Sequence, residues 1–187
     1  MPFMNEDQIN EMNFKQVGKN VKLSSLASFD KPHLMSFGDN SRVDDFCALS
    51  GLITLGRNVH IAVLSSIVAS EQAIEILDFA GLAFGCRLFS SSDDYSGESM
   101  TNPTVSSEFK MVSHGAIRIG RHAILGTNTI VLPGVDIGEG CSVGANSLVS
   151  KSTEPWGIYI GSPARRIKDR SKNLLALEKL LIESELS

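Results

Sequence analysis

The hydrophobic positions of this chain keep an interval of six. Phe37, Val43, Leu49, Leu55, Ile61 and Ile67 set the beat, the phase slips by three residues, and Ile76, Leu82 and Leu88 resume it. After an interruption, Ile119, Leu125, Val131, Ile137, Val143 and Val149 carry it again. Strands alternate every two residues and helices every 3.6, so neither alone produces this period. A fixed repeat over such a length predicts a stacked solenoid. Three short strands per coil, each pointing one aliphatic side chain inward, make a triangular parallel β-helix. Small residues then occupy the corners, as Gly120, Gly126, Gly138 and Gly144 do just after their aliphatic neighbours. Roughly six coils at about 4.8 Å each give a prism near 29 Å long. A β-sandwich would need period two and has no use for six.

Around this prism the chain divides into three parts. Residues 1–16 form an N-terminal cap, with a short helix over 5–13 that Asn5 caps and Gln8 completes as a capping box. Residues 17–165 are the β-helix. Its interruption over 90–113, SSSDDYSGESMTNPTVSSEFKMVS, is polar and too long for an ordinary connection. Residues 166–187 hold a C-terminal helix, in which Leu174, Leu177, Leu180 and Leu181 follow helical spacing. The helices are expected to cover the open ends of the prism, or a neighbour. The flat sides of a triangular prism invite packing about a threefold axis, so a homotrimer is the expected assembly.

Composition narrows the classes. Only 6% of the residues are aromatic, so the core is aliphatic. The net charge of −4 gives no electrostatic case for a nucleic-acid partner. No apolar run reaches the roughly 20 residues that span a bilayer, and the acidic N-terminus lacks a secretory pattern. Cys47, Cys86 and Cys141 are odd in number and scattered, which reads as buried free thiols in a reducing cytoplasm rather than a disulfide or zinc framework.

The stretches IGRHAILGTNTIVLPGVDIGEGCSVGANSLV and YIGSPARRIK resemble the left-handed β-helix acyltransferases, the hexapeptide-repeat family. They are most similar to galactoside and maltose acetyltransferases and to bacterial surface-polysaccharide acetyltransferases. The longer pattern GDNSRVDDFCALSG…SSSDDYSGESMTNPTV is similar to a narrower group, the nucleotide-linked amino-sugar N-acetyltransferases such as those acting on dTDP-4-amino-4,6-dideoxyglucose. The resemblance spans about residues 17–170. It implies an all-β, left-handed parallel β-helix and a cytoplasmic enzyme using acetyl-CoA and no metal. Its active sites lie between subunits of a trimer, and its product feeds O-antigen or another surface polysaccharide. It also implies that Thr127, Ala145, Ser150 and Lys151 touch the cofactor and that Arg165 lies near its phosphates. The basic character of Lys151, Arg165, Arg166 and Lys168 suits charge-assisted bonds to phosphate.

Acetyl transfer from a thioester needs a nucleophile relieved of its proton. Where galactoside-type relatives keep a catalytic His, this loop has none before His114. That departure favours an amine acceptor, which is nucleophilic once neutral. His114 is the leading base candidate. Asp94, with Asp93, is expected to orient the amine, and His60 on an earlier coil is a further catalytic candidate. Glu71 falls where the resemblance implies a sugar-binding carboxylate, and Tyr95 and Asn102 are loop candidates for substrate contact. His122 reads as structural and His33 as a loop residue. Three other functions stay open at this point. One is a sugar O-acetyltransferase, and another is a zinc hydratase needing His60, His114 and His122 on one ion. The third is a non-enzymatic assembly subunit.

Overall fold

Every residue of the sixfold beat, Phe37 and fourteen aliphatics, points to a common axis, and none of the fifteen is more than 2% exposed. The computed structural model describes residues 1–185 and is a parallel β-solenoid. On its first face, Val17, Phe37, Leu55, Ile76, Ile119 and Ile137 stack in parallel register, with Thr153 bridging above. The second face stacks Leu23, Val43, Ile61, Leu82, Leu125, Val143 and Tyr159. The third stacks Phe29, Leu49, Ile67, Leu88, Val131 and Val149. The result is six full coils and two sides of a seventh. The corner glycines are required sterically: a Cβ on Gly126 would lie 2.5 Å from the backbone nitrogen of Ala145 in the next coil. All three cysteines are buried free thiols.

The edge between the first and second faces is a column of left-handed residues: Asn20, Asn40, Asn58, Phe79, His122, Gly140 and Trp156. Asparagine tolerates this conformation best among residues with a side chain. The three amides also bond to one another, Asn20 Nδ2 to Asn40 Oδ1 at 3.1 Å and Asn40 Nδ2 to Asn58 Oδ1 at 3.2 Å. Higher up, the Phe79 and His122 rings stack at 5.1 Å.

The ends are closed differently. At the base, helix α1 (Glu6–Glu11) carries the Asn5–Gln8 capping box in both directions. Phe14 packs edge-on against Phe29 and Phe37 at 5.3 and 5.1 Å. At the top, Gly157–Ile160 pairs antiparallel with Arg165–Asp169. The part of the C-terminal segment that begins at 166 therefore starts as a strand, and helix α2 runs only over Leu174–Glu185. That helix does not cap the prism. It descends along the amide edge, with Glu178 meeting Arg121 and His122, and Glu185 meeting Arg57 two coils lower. Its buried residue is Glu178, whereas Leu177, Leu180 and Leu181 stay exposed.

All departures from the sixfold beat leave by the edge between the third and first faces. Gly51, with φ +87°, sits there against the Ala69 carbonyl oxygen, where a Cβ would lie at 1.7 Å. One coil higher, the three surplus residues between Ile67 and Ile76 bulge outward. One coil above that, residues 90–115 depart as a loop, whose base is an antiparallel ribbon of Ser91–Asp93 with Val112–His114.

Candidate active site

The surplus residues and the loop base are stacked, so side chains far apart in sequence meet. Ser70 N donates to Ser90 Oγ at 2.9 Å, and Gly115 N donates to the Ser90 carbonyl at 2.9 Å. This places His114 beside the bulge. Its Nδ1 lies 3.4 Å from Ser70 Oγ, and its Nε2 lies 3.8 Å from Glu71 Oε2. The imidazole is mostly covered while the Glu71 carboxylate is open to solvent. A hydroxyl, an imidazole and a carboxylate in a row on an accessible edge can accept a proton and hold the charge that results.

The loop acids are engaged within the loop. Asp94 Oδ1 accepts from Ser96 N at 2.8 Å, and Oδ2 accepts from Ser99 N at 3.0 Å and Ser99 Oγ at 3.2 Å. These bonds, those of Ser96 foremost, pull its pKa down to about 2. A carboxylate that acidic is a poor proton acceptor near neutrality and a permanent negative charge. Asp93 Oδ2 accepts from Asn102 N at 3.1 Å, and Asn102 Oδ1 in turn accepts from Thr104 N at 3.0 Å. Asp93, Asp94 and Asn102 thus brace the loop from inside, while Tyr95 at its tip is 93% exposed.

The cofactor candidates fall on two edges. Thr127 and Ala145 stack on the edge between the second and third faces, where Asn146 N donates to the Thr127 carbonyl at 2.8 Å. Below them on the same edge, Asn128 N donates to Phe84 O at 2.8 Å. Above them the SPA turn closes over, with Gly161 N on Ser147 Oγ at 3.1 Å and Ala164 N on Leu148 O at 2.8 Å. Arg165 therefore crowns this track. Arg166 is tied to Asp169 at 2.7 Å and reaches Tyr159 Oη at 3.4 Å, while Lys168 lies exposed on the same strand. Ser150 and Lys151 follow Val149 onto the other edge, above the loop.

His60 and His122 stand apart from His114. His60, on the second face, gives its Nε2 to buried Asp44 at 2.8 Å, and Arg42 Nε bonds the same carboxylate at 2.6 Å. Burial works against the Asp44 charge, yet Arg42 and His60 together hold its pKa below the ordinary value. His122 is buried on the amide edge against Glu178. The three imidazoles do not converge, and among the described residues no cluster of three His, Cys, Asp or Glu is placed to hold a metal. Ser70, Ser90 and Asp44 escaped sequence reasoning. Ser70 and Glu71 did carry a signal, since they sit where the phase slips.

A triangular parallel coil with a protruding loop on one edge and a small-residue track on another defines a hexapeptide-repeat transferase, and this chain belongs to that family. Residues 116–151 match the family described as bacterial transferase hexapeptide (six repeats). The chain is 42% identical over 183 residues to dTDP-4-amino-4,6-dideoxy-D-glucose acyltransferase of Escherichia coli, covering 96% of this chain and 95% of that one. It also superposes on AntD, an N-acyltransferase from Bacillus cereus solved with dTDP and 3-hydroxybutyryl-CoA. That match has a TM-score of 0.98 and 38% identity, and it covers 100% of both chains. A variant of AntD, solved with dTDP-4-amino-4,6-dideoxyglucose and coenzyme A, matches at TM-score 0.96 and 38% identity over 97% of each chain.

Proposed function

We propose that this protein transfers a short acyl group, acetyl in the simplest case, from coenzyme A to the amine of a dTDP-linked 4-amino-4,6-dideoxy sugar. The observation that carries this reading is the end-to-end similarity to the Escherichia coli acyltransferase for that sugar, loop included. An amine acceptor also agrees with the loop, whose acids are bonded carboxylates and whose one imidazole stands at its base. A hydroxyl acceptor would need a base poised along the loop itself.

In this reading the neutral amine attacks the thioester carbonyl carbon and forms a C–N bond. The tetrahedral intermediate collapses by breaking the C–S bond, and the departing sulfur takes up a proton to leave as coenzyme A. His114, steadied by Ser70 and Glu71, accepts the proton the amine sheds. The fixed charge of Asp94, with Asp93 and Asn102 shaping the loop, orients the amine. Tyr95 offers its ring to the nucleotide base. Thr127, Ala145 and Arg165 take the pantetheine and phosphates, with Arg166 and Lys168 adding positive charge nearby.

These groups sit on different edges, so one protomer alone does not bring them together. A homotrimer, in which the loop and Lys151 edge of one protomer faces the track of the next, completes the site. Support comes from Leu26, Phe46, Leu64 and Phe84, which leave an exposed apolar stripe along the lower part of the track edge. We place the enzyme in the cytoplasm, where its buried thiols stay reduced, and its product in O-antigen or another surface glycan.

The test is incubation of the purified protein with acetyl-CoA and dTDP-4-amino-4,6-dideoxyglucose, following thiol release and product mass. Thiol release with this sugar and not with dTDP-glucose is expected. Equal turnover of the hydroxyl sugar, or none of the amine, overturns the reading.

A further inference from the structure

The outward row of the second face runs Lys22, Arg42, His60, Gly81, Ile124, Ser142 and Ile158, and one member lacks a side chain. That member is Gly81. Its backbone is ordinary extended strand, and a Cβ built on it meets nothing within 4 Å. Neither a turn nor close packing therefore requires glycine here. What its absence of a side chain does is open a notch of about 270 Å³, floored by Gly81 and walled by His60, Ala62, Ala83, Phe84 and Ile124. A glycine in a strand often marks a bulge, a tight bend, or the close approach of a ligand or another backbone, and the register at Gly81 is regular, with no bulge.

The notch adjoins the lower end of the cofactor track, because Phe84 is both its outer wall and the residue directly beneath Asn128 on that edge. Its level fits the reach of the donor. Arg165 crowns the seventh coil, and Phe84 lies in the fourth, three steps or about 14 Å lower at the inter-strand spacing. A pantetheine arm has about the backbone length of four extended residues, again about 14 Å. With its phosphates at Arg165, the arm delivers its sulfur to the mouth of the notch. One wall is polar: His60 gives Nε2 to Asp44, and its Nδ1 has no partner among the described residues.

We propose that the Gly81 notch is the acyl-chain pocket, which selects donors with a short chain longer than acetyl. In it, His60, oriented by Asp44, bonds a polar substituent on that chain. This rests on the acyl-CoA reading above and adds the class of acyl group. Gly81 sets chain length, and His60 sets preference for an oxygen-bearing chain.

Donor binding tests this without any acceptor sugar, by calorimetric titration of acetyl-, butyryl- and 3-hydroxybutyryl-CoA into the intact protein. Each methylene buried strengthens binding about fourfold, so butyryl-CoA, two methylenes longer, is expected to bind roughly fifteenfold tighter than acetyl-CoA. Gly81→Leu fills the notch and brings that ratio to within about twofold. His60→Phe keeps the butyryl preference and lowers 3-hydroxybutyryl binding relative to butyryl about threefold to tenfold, the worth of one hydrogen bond. Phe84→Ala removes the outer wall and raises hexanoyl-CoA affinity relative to butyryl, read on the fraction that sediments as the wild type does because Phe84 also belongs to the apolar stripe, and this result stands even if Gly81→Leu fails to fold. If the wild type binds no coenzyme A thioester, the transferase reading itself falls. If it binds all chain lengths equally, or Gly81→Leu and Phe84→Ala both leave the ratios unchanged, the pocket assignment alone falls. A Gly81→Leu protein that changes sedimentation but not donor preference overturns it as well, because the notch then receives a side chain of a second copy.

Discussion

His122 Nε2 and the Glu178 carboxylate meet at 2.9 Å, each less than a tenth exposed, and Arg121 bonds the same carboxylate. This contact fastens helix α2 to the prism. Removing the carboxylate strands a buried ring N–H, which costs about 1–3 kcal/mol. Glu178→Ala is expected to lower the thermal midpoint by several degrees and to make the C-terminal helix sensitive to limited proteolysis. An unchanged midpoint and digestion pattern would show that the helix is held elsewhere.

Buried His122 also sets a pH dependence. Burial first, and then the charge of Arg121, pushes the His122 pKa below its ordinary value near 6.5. Below that value the unfolded chain takes up a proton that the folded one refuses. The stabilisation is therefore complete above about pH 6.5 and is lost as pH falls toward the depressed folded value. Urea midpoints measured from pH 7.5 to 5.5 should decline, and His122→Gln should flatten the decline.

Gly126 lies under Ala145 on the cofactor track. Gly126→Ala forces the two coils apart at that point, with a cost of about 1–3 kcal/mol from overpacking. The Kd for coenzyme A should weaken together with the melting temperature. Normal coenzyme A affinity in this variant would place the cofactor on a different edge.

Proton removal by a positioned side chain contributes about 10²–10⁴ in rate. His114→Ala is expected to lower kcat by at least a hundredfold while leaving nucleotide-sugar affinity near the wild-type value. Glu71→Gln should cost about tenfold or less in kcat. A small effect of His114→Ala on kcat would leave the amine attacking unassisted. Tyr95→Ala, which removes a ring that packs on nothing in the protomer, should raise KM for the nucleotide sugar about tenfold, in line with aromatic stacking on a base. Its stability should match the wild type.

Leu64 occupies the middle of the exposed apolar stripe. Leu64→Asp is expected to yield folded monomers in sedimentation velocity, without acyl transfer. Monomers retaining full activity would show that one protomer carries a whole site.

How much of this was legible beforehand follows from what is local. Ile119 through Val149 announce their burial because the coil imposes one period on all of them, and the Asn5–Gln8 box lies within a single helical turn. The face of helix α2 that meets its own prism is polar, and Glu178 finds His122 across 56 positions of chain, whereas Leu177, Leu180 and Leu181 of the leucine row stay exposed on the protomer. Ser70 and His114 are 44 positions apart, so their meeting depends on two irregularities leaving the same corner. The division of Thr127 and Ala145 from Ser150 and Lys151 was readable. Thr127 and Ala145 are one full coil apart, whereas Ser150 begins the next corner.

Because the surplus residues and the long loop both exit at a single corner, the other two edges remain straight rails through all the coils. If the loop and the notch play the parts proposed above, lengthening or exchanging the loop should alter what the enzyme accepts without disturbing what it donates, and a change at Gly81 should do the converse. Such a scaffold lets its two specificities drift separately, so a library diversified at one corner should retain folding while its sugar preference varies.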